Sequence, residues 1–188
     1  MRGKFIVIVG PSASGKTELV KALVKRVPNS ARLVTTTTRE RRPGEKDDYF
    51  FTSREEFEKG IAAGEFFEYA EVYGNFYGCS KKVLDDFRAK FEYVFAIIDI
   101  QGAETLRRKI HDAFVIFIRS GSLDEIKARL IRARGGVSGI SKEELEKRLD
   151  TAAQELSLAS TFDAIVENRE GHFAETVEGA INIIKNPR

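Results

Sequence analysis

The chain of 188 residues holds one cysteine, Cys79, and two histidines, His111 and His172, far apart in sequence. A single cysteine excludes an internal disulfide and a cysteine-based zinc site. The histidines are assigned to structure or surface. Excess charge is also missing, with 31 basic residues against 29 acidic ones. No overall field draws such a chain onto nucleic acid or a membrane surface. Any phosphate site must therefore be local. Long apolar runs are absent as well. The opening MRGKFIVIVG has a short one that ends at glycine, unlike a secretory signal, and nothing later is long enough to span a bilayer. A cytoplasmic location is the expectation, with no nucleic-acid or membrane partner. The length suits one well-cored domain with a smaller insert.

What the chain does have is alternation. Phe5–Val9 is a short apolar run of β-branched and aromatic residues, the pattern of a strand buried on both faces. Tyr93–Asp99, Phe114–Ile118 and Ala164–Glu167 resemble it. Helical patterns lie between: Lys16–Val27, Ser53–Gly64 with a capping-box start at Ser53 and Glu56, Ser80–Phe87, Gly102–Lys109, Leu123–Arg132, Glu143–Leu158 and Phe173–Ile184. Strand alternating with helix predicts an α/β layer fold with a mainly parallel sheet. Thr35 to about Cys79 breaks the rhythm and reads as a small mixed β insert. The glycine-rich, basic stretch Arg132–Ser141 reads as a mobile loop between two helices.

The first strand runs into GPSASGKT, Gly10 to Thr17. This fits the phosphate-loop pattern G-x-x-x-x-G-K-[ST] in its required setting, buried strand before and amphipathic helix after. Across Gly10, Pro11, Ser12, Ala13, Ser14 and Gly15, backbone N–H groups wrap an anion at a helix N-terminus. Lys16 reaches the β- and γ-phosphates, and Thr17 offers a hydroxyl to Mg²⁺. The motif predicts a nucleoside triphosphate, ATP, without naming the second substrate.

The stretch TTTTRERRPGEKDDYFF, Thr35 to Phe51, sets three arginines beside a row of threonines. Arginine forks match phosphate oxygens two at a time, so Arg39 and Arg42 suit the phosphate of an acceptor. The stretch resembles the acceptor segment of the guanylate kinases. GEFFEYAEVYGNFYGCS, IIDIQGA, RARG with EKRL, and FDAIVEN resemble that family's later signatures, in order over essentially the whole chain. The resemblance implies a phosphate-loop kinase core over residues 1–34 and 80–188, a lid at about 129–150 and a GMP-binding insert over 35–79. It implies ATP-dependent phosphorylation of GMP, and of dGMP, to the diphosphate, with Mg²⁺, in a monomer or small homo-oligomer. Arg39, Arg42, Tyr49 and Tyr77 fall on positions that hold the GMP phosphate. Glu68 falls on the position that reads guanine, with Thr35 and Cys79 also at the base. Asp99 is expected at a strand's C-terminal end near nucleotide and metal, the latter through water. Arg129, Arg134 and Arg148 approximate the lid arginines. The implied catalytic set is Lys16, Arg39, Arg42, Asp99, Arg134 and Arg148.

The chain departs from the family pattern in places. Ala13 replaces a loop glycine and is strained if that position needs positive φ. Ile97 replaces an acid two residues before Asp99, which removes a charge near the expected metal region. Cys79 replaces a serine or threonine with a weaker hydrogen-bonding group. The segment between Arg134 and Arg148 is longer than the usual spacing.

Overall fold

The computed structural model describes residues 2–42, 44, 45 and 49–186; Pro43 of the Pro-Gly turn and the acids at 47 and 48 lie outside the described residues. The elements run β1 (Lys4–Val9), α1 (Lys16–Arg26), β2 (Ser30–Arg32), β3 (Thr35–Thr37), β4 (Tyr49–Phe51), α2 (Arg54–Ala62), β5 (Phe66–Val72), β6 (Asn75–Ser80), α3 (Lys81–Lys90), β7 (Tyr93–Ile97), α4 (Ile100–Lys109), β8 (Ala113–Ser120), α5 (Leu123–Ala133), α6 (Lys142–Ser157), β9 (Ala164–Asn168) and α7 (Phe173–Lys185). A five-stranded sheet has the order β2-β7-β1-β8-β9, and a four-stranded sheet the order β4-β3-β6-β5. The first is the parallel sheet expected from continuous apolar runs: β2 pairs parallel with β7, and β8 with β9. The second is mixed, with β3 parallel to β4 and antiparallel to β6, and β5 antiparallel to β6.

The chain divides into two compact units. One takes the chain up to Val7 and then Pro28–Phe114. Its small sheet packs on α2, where Phe57 stacks on Phe66 at 4.5 Å and on Phe76 at 5.2 Å between ring centres. The α2 start is a capping box. The Ser53 hydroxyl accepts from the Glu56 N–H at 3.1 Å, and the Ser53 N–H supports the Glu56 carboxylate in return. Arg88 of α3 is only 1% exposed. It donates to the Gly3 carbonyl at 2.7 Å and pairs with Asp112, which makes it a structural strut.

The other unit takes Ile8–Val27 and the chain from Val115 onward. Here α7 covers α1 and β9, with Val177, Ala180, Ile181 and Ile184 on its buried face. Helices α5 and α6 pack as a pair around Ile126, Leu130 and Ala152, with Leu145, Leu149 and Leu156 at the margin. Their starts are capped by Ser122 and Ser141, whose hydroxyls accept from the N–H groups of Glu125 and Glu144. The basic stretch between them is a loop with one short 3₁₀ turn, Val137–Gly139.

Two local differences from the sequence expectations concern the site. The strand expected to run to Asp99 ends at Ile97, and α4 starts two residues earlier than Gly102. Asp99 is its N-cap, since its carboxylate accepts the Gly102 N–H at 3.0 Å. Capping chemistry outweighed strand propensity there. Strand β2 was not expected. Three residues carry no period, and the pairing of Ser30–Arg32 with Tyr93–Phe95 makes it a strand.

Candidate functional site

In the second unit, β1 delivers the chain into the phosphate loop. At Gly10 (φ 140°) a side chain would fall on the Ile118 carbonyl, and at Gly15 (φ 95°) on the Asn168 amide, so both positions require glycine. Ala13 does sit at positive φ, 62°, the strained conformation that its replacement of glycine implied. Its methyl packs against the apolar cluster of α5 and α6. Gly15 begins α1 with no side-chain cap, so the first N–H groups of the helix keep donor capacity for an anion. Lys16 curls over the loop, its ammonium donating to the carbonyls of Gly10 at 2.6 Å and Pro11 at 2.8 Å. Thr17 is half-buried in the first helical turn, and Ser12 lies half-buried on the loop.

One residue that the sequence reading quoted without assigning a role braces this loop. The Asn168 amide, at the end of β9, donates to the Ser14 carbonyl at 2.7 Å. The backbone carbonyl of Asn168 accepts from the Arg129 guanidinium at 2.9 Å. The signal was a strand ending in asparagine, which does not by itself say what the amide meets. Arg129 also pairs with Glu170 at 3.2 Å. Arg134 and Arg148, fourteen residues apart in sequence, converge on one carboxylate, Glu144, at 3.0 Å and 2.9 Å.

The acceptor-type residues lie in the first unit. Register sets Thr35 opposite Tyr49 and Thr37 opposite Tyr77, and the two tyrosine rings meet edge-on at 5.9 Å. The Arg39 guanidinium stands 5.5 Å from the Tyr49 ring centre and 5.6 Å from that of Phe51, a cation–π setting. Its fork is already engaged: one terminal nitrogen donates to both Glu45 oxygens, at 2.6 and 2.8 Å. The Arg42 backbone N–H donates to the same carboxylate at 3.0 Å. Burial works to raise the Glu45 pKa, but the hydrogen bonds from Arg39 and from the Arg42 N–H outweigh it and hold the carboxyl below its ordinary value. Burial likewise pushes the Tyr49 phenol up. The sequence reading gave Arg39 and Arg42 one shared task. The structure ties the Arg39 side chain to Glu45 but uses only the Arg42 backbone there.

A second cluster gathers on β5, β6 and the start of α4. Glu68 is 3% exposed, and its Oε2 has no hydrogen-bond partner among the described residues. Burial first, and the neighbouring Asp99 charge second, push its carboxyl up to about 8, against the opposing pull of Lys109 and the Cys79 N–H. Cys79 faces Glu68 across the strand pair and is fully buried, so its thiol pKa is driven far up. A thiol so held is neutral and unreactive at ordinary pH. Two carboxyl groups, Glu68 and Asp99, thus adjoin the same helix start with one buried oxygen unused. Once the Glu68 carboxyl is ionised, an arrangement of this kind accepts a pair of N–H donors.

Among the described residues, no group of three or more His, Cys, Asp or Glu side chains could hold a metal, and no helix is long and apolar enough to cross a membrane. A phosphate loop joining a buried parallel strand to an amphipathic helix defines a nucleotide-binding α/β protein of the phosphate-loop class. The chain belongs to the guanylate kinase family, whose family model, described as Guanylate kinase, matches residues 2–186. It is 41% identical over 169 residues to a guanylate kinase of Rubrobacter xylanophilus, covering 89% of this chain and 86% of that protein. It is 35% identical over 191 residues to one of Thermotoga maritima, covering 100% and 89%. The crystal structure of guanylate kinase from Anaplasma phagocytophilum superposes with a TM-score of 0.75 at 32% identity, covering 98% of this chain and 85% of that one.

Proposed function

We propose that the protein transfers the γ-phosphoryl group of ATP to GMP, releasing ADP and GDP, and that dGMP serves as a second acceptor. The observation that carries the guanine assignment is the buried Glu68 oxygen beside Asp99, which has no hydrogen-bond partner among the described residues. Guanine presents an N1–H and a 2-amino group on one edge, a donor pair that fits the ionised carboxylate, so binding the base draws Glu68 toward that form and its proton leaves to solvent; adenine presents no such donor pair. A base that leaves this buried acid unsatisfied loses about 1–3 kcal/mol, or roughly 5- to 150-fold. Thr35 and Cys79 contribute to the same base end. Arg39, Arg42, Tyr49 and Tyr77 hold the acceptor phosphate.

On the donor side the loop N–H groups and Lys16 hold the triphosphate. The Lys16 ammonium, resting on two loop carbonyls, follows the charge that moves onto the β–γ bridge in transfer. The uncapped start of α1 and the half-buried Thr17 hydroxyl fit a magnesium nucleotide, with Asp99 acting through water. Mg²⁺, when bound, neutralises phosphate charge. Arg134 and Arg148 are the arginines of a lid formed by α5 and α6, and Arg129 supports it. No histidine base is needed, because phosphoryl transfer rests on positioning and charge stabilisation. We place the enzyme in the cytoplasm, as a monomer or small homo-oligomer without nucleic-acid or membrane partners. The test is ADP release with ATP-Mg²⁺ and, in turn, GMP, dGMP, AMP, CMP and UMP. Turnover chiefly with GMP and dGMP is expected. Comparable turnover with AMP would remove Glu68 as the base reader.

A further inference from the structure

Gly102 is the third residue of α4 and is buried. Its backbone lies outside the left-handed region, so conformational freedom is not why glycine stands there, and alanine is the better helix former. The reason is space. A Cβ at Gly102 would lie 2.5 Å from Glu68 Oε2, 2.9 Å from Asp99 Oδ2 and 2.9 Å from the Ile98 Cγ2 methyl. Two of these three neighbours are carboxyl oxygens, and one of them is the buried oxygen that has no hydrogen-bond partner among the described residues.

We infer that Gly102 is a specificity-determining residue: its missing side chain lets the Glu68 and Asp99 carboxyl groups lie against the first turn of α4, and so sets where the base-reading acid stands. The inference rests on the guanine reading of Glu68 proposed above. The physical argument turns on which atom gives way. A carbon and an oxygen do not approach closer than about 3.3 Å without strain. A methyl at this position therefore displaces something by about 1 Å. Backbone on the helix side is held by the Asp99 cap. The movable partner is the far end of the Glu68 side chain. The added methyl is thus absorbed as a shift of the recognition group and not as loss of the fold. A hydrogen-bond pair tolerates only a few tenths of an ångström, and a misplacement of about 1 Å costs up to about a hundredfold. The Asp99 carboxyl, farther from the added methyl and tied through its other oxygen to the Gly102 N–H, yields less.

The experiment is steady-state kinetics of Gly102→Ala, Glu68→Ala and the double variant, with GMP, IMP and AMP as acceptors, alongside urea unfolding. IMP keeps the N1–H and lacks the 2-amino group. The expected result for Gly102→Ala is a GMP KM raised about ten- to a hundredfold, an ATP KM within about twofold, and a smaller preference for GMP over IMP, with the urea midpoint close to that of the parent. In the Glu68→Ala background the same methyl is expected to change the GMP KM by less than about threefold, because the displaced atom is gone. A GMP KM within about twofold of the parent overturns the inference. So does a large fall in the urea midpoint, or an undiminished effect without Glu68, since either places the methyl's action elsewhere. Should Glu68→Ala leave the preference for GMP over IMP and AMP intact, the guanine reading itself fails, and this inference falls with it.

Discussion

Replacing Glu68 by glutamine removes a titrating group while keeping its shape, and the consequence is a change in how stability depends on pH. In the folded chain the carboxyl titrates at about 8, against an ordinary 4.5. Between those values the unfolded chain has released its proton and the folded chain still holds it. The folded state binds more protons there, so stability falls as pH rises. The penalty begins near pH 4.5, grows by at most about 1.4 kcal/mol per pH unit, and levels off above about 8. A span of about 3.5 pH units sets an upper bound on the order of 5 kcal/mol. Glutamine shows none of it. Urea unfolding of both proteins at pH 5, 6, 7 and 8 gives the test. The stability of the parent relative to Glu68→Gln is expected to decline steadily over that range. Parallel curves, within about 0.5 kcal/mol throughout, would mean that Glu68 is ionised in the empty protein, and that water or a cation serves the oxygen which has no partner here.

Three further outcomes are expected. Lys16→Ala should lower kcat by about a thousandfold or more, about 4 kcal/mol of lost charge stabilisation, while equilibrium dialysis still detects GMP binding; near-normal turnover would refute the role of the ammonium. Ala13→Gly relieves about 1 kcal/mol of positive-φ strain and removes a methyl contact of similar worth, so thermal unfolding should show a net change well under about 1 kcal/mol; a net change of about 1 kcal/mol or more would mean one of the two terms is absent. Asp112→Ala takes the carboxylate from the buried Arg88 guanidinium and leaves its bond to the Gly3 carbonyl, which should cost about 1–2 kcal/mol in urea unfolding once screening at the exposed Asp112 end is allowed for; no loss would show that water replaces the carboxylate.

The parts of this fold that could be read from sequence are those in which each residue carries its own local signal. Phe5–Val9, GPSASGKT and the apolar stripe of α1 state strand, turn and helix in succession, and the structure has them in place. The Ser53–Glu56 capping box was legible for the same reason. Strand β2 was not, because a three-residue strand exists only by pairing with β7. Asp99 misled because apolar residues lead straight up to it, while its role as a cap depends on where the Gly102 N–H points. The arginines of this stretch were visible as a cluster, but nothing in RERRPGE says that Glu45 folds back onto Arg39. Asn168 and Gly102 were quoted within motifs and carried no role of their own. What each does is a matter of which atom lies a few ångströms away across the fold, and spacing along the chain holds no record of that.

The pairing of Arg39 with Glu45 has a consequence for the solution around the protein. Cells and buffers are full of small anions, and a bare guanidinium framed by two aromatic rings would collect them. With an internal carboxylate on its fork, Arg39 is charge-balanced before any acceptor arrives. Chloride or sulfate gains little by displacing a tethered partner that is always present. A doubly charged phosphate attached to a correctly read base brings its own second anchor. If Arg39 holds the acceptor phosphate as proposed, the internal pair insulates it from ionic background and shifts the burden of selection onto ligands that engage phosphate and base residues at once.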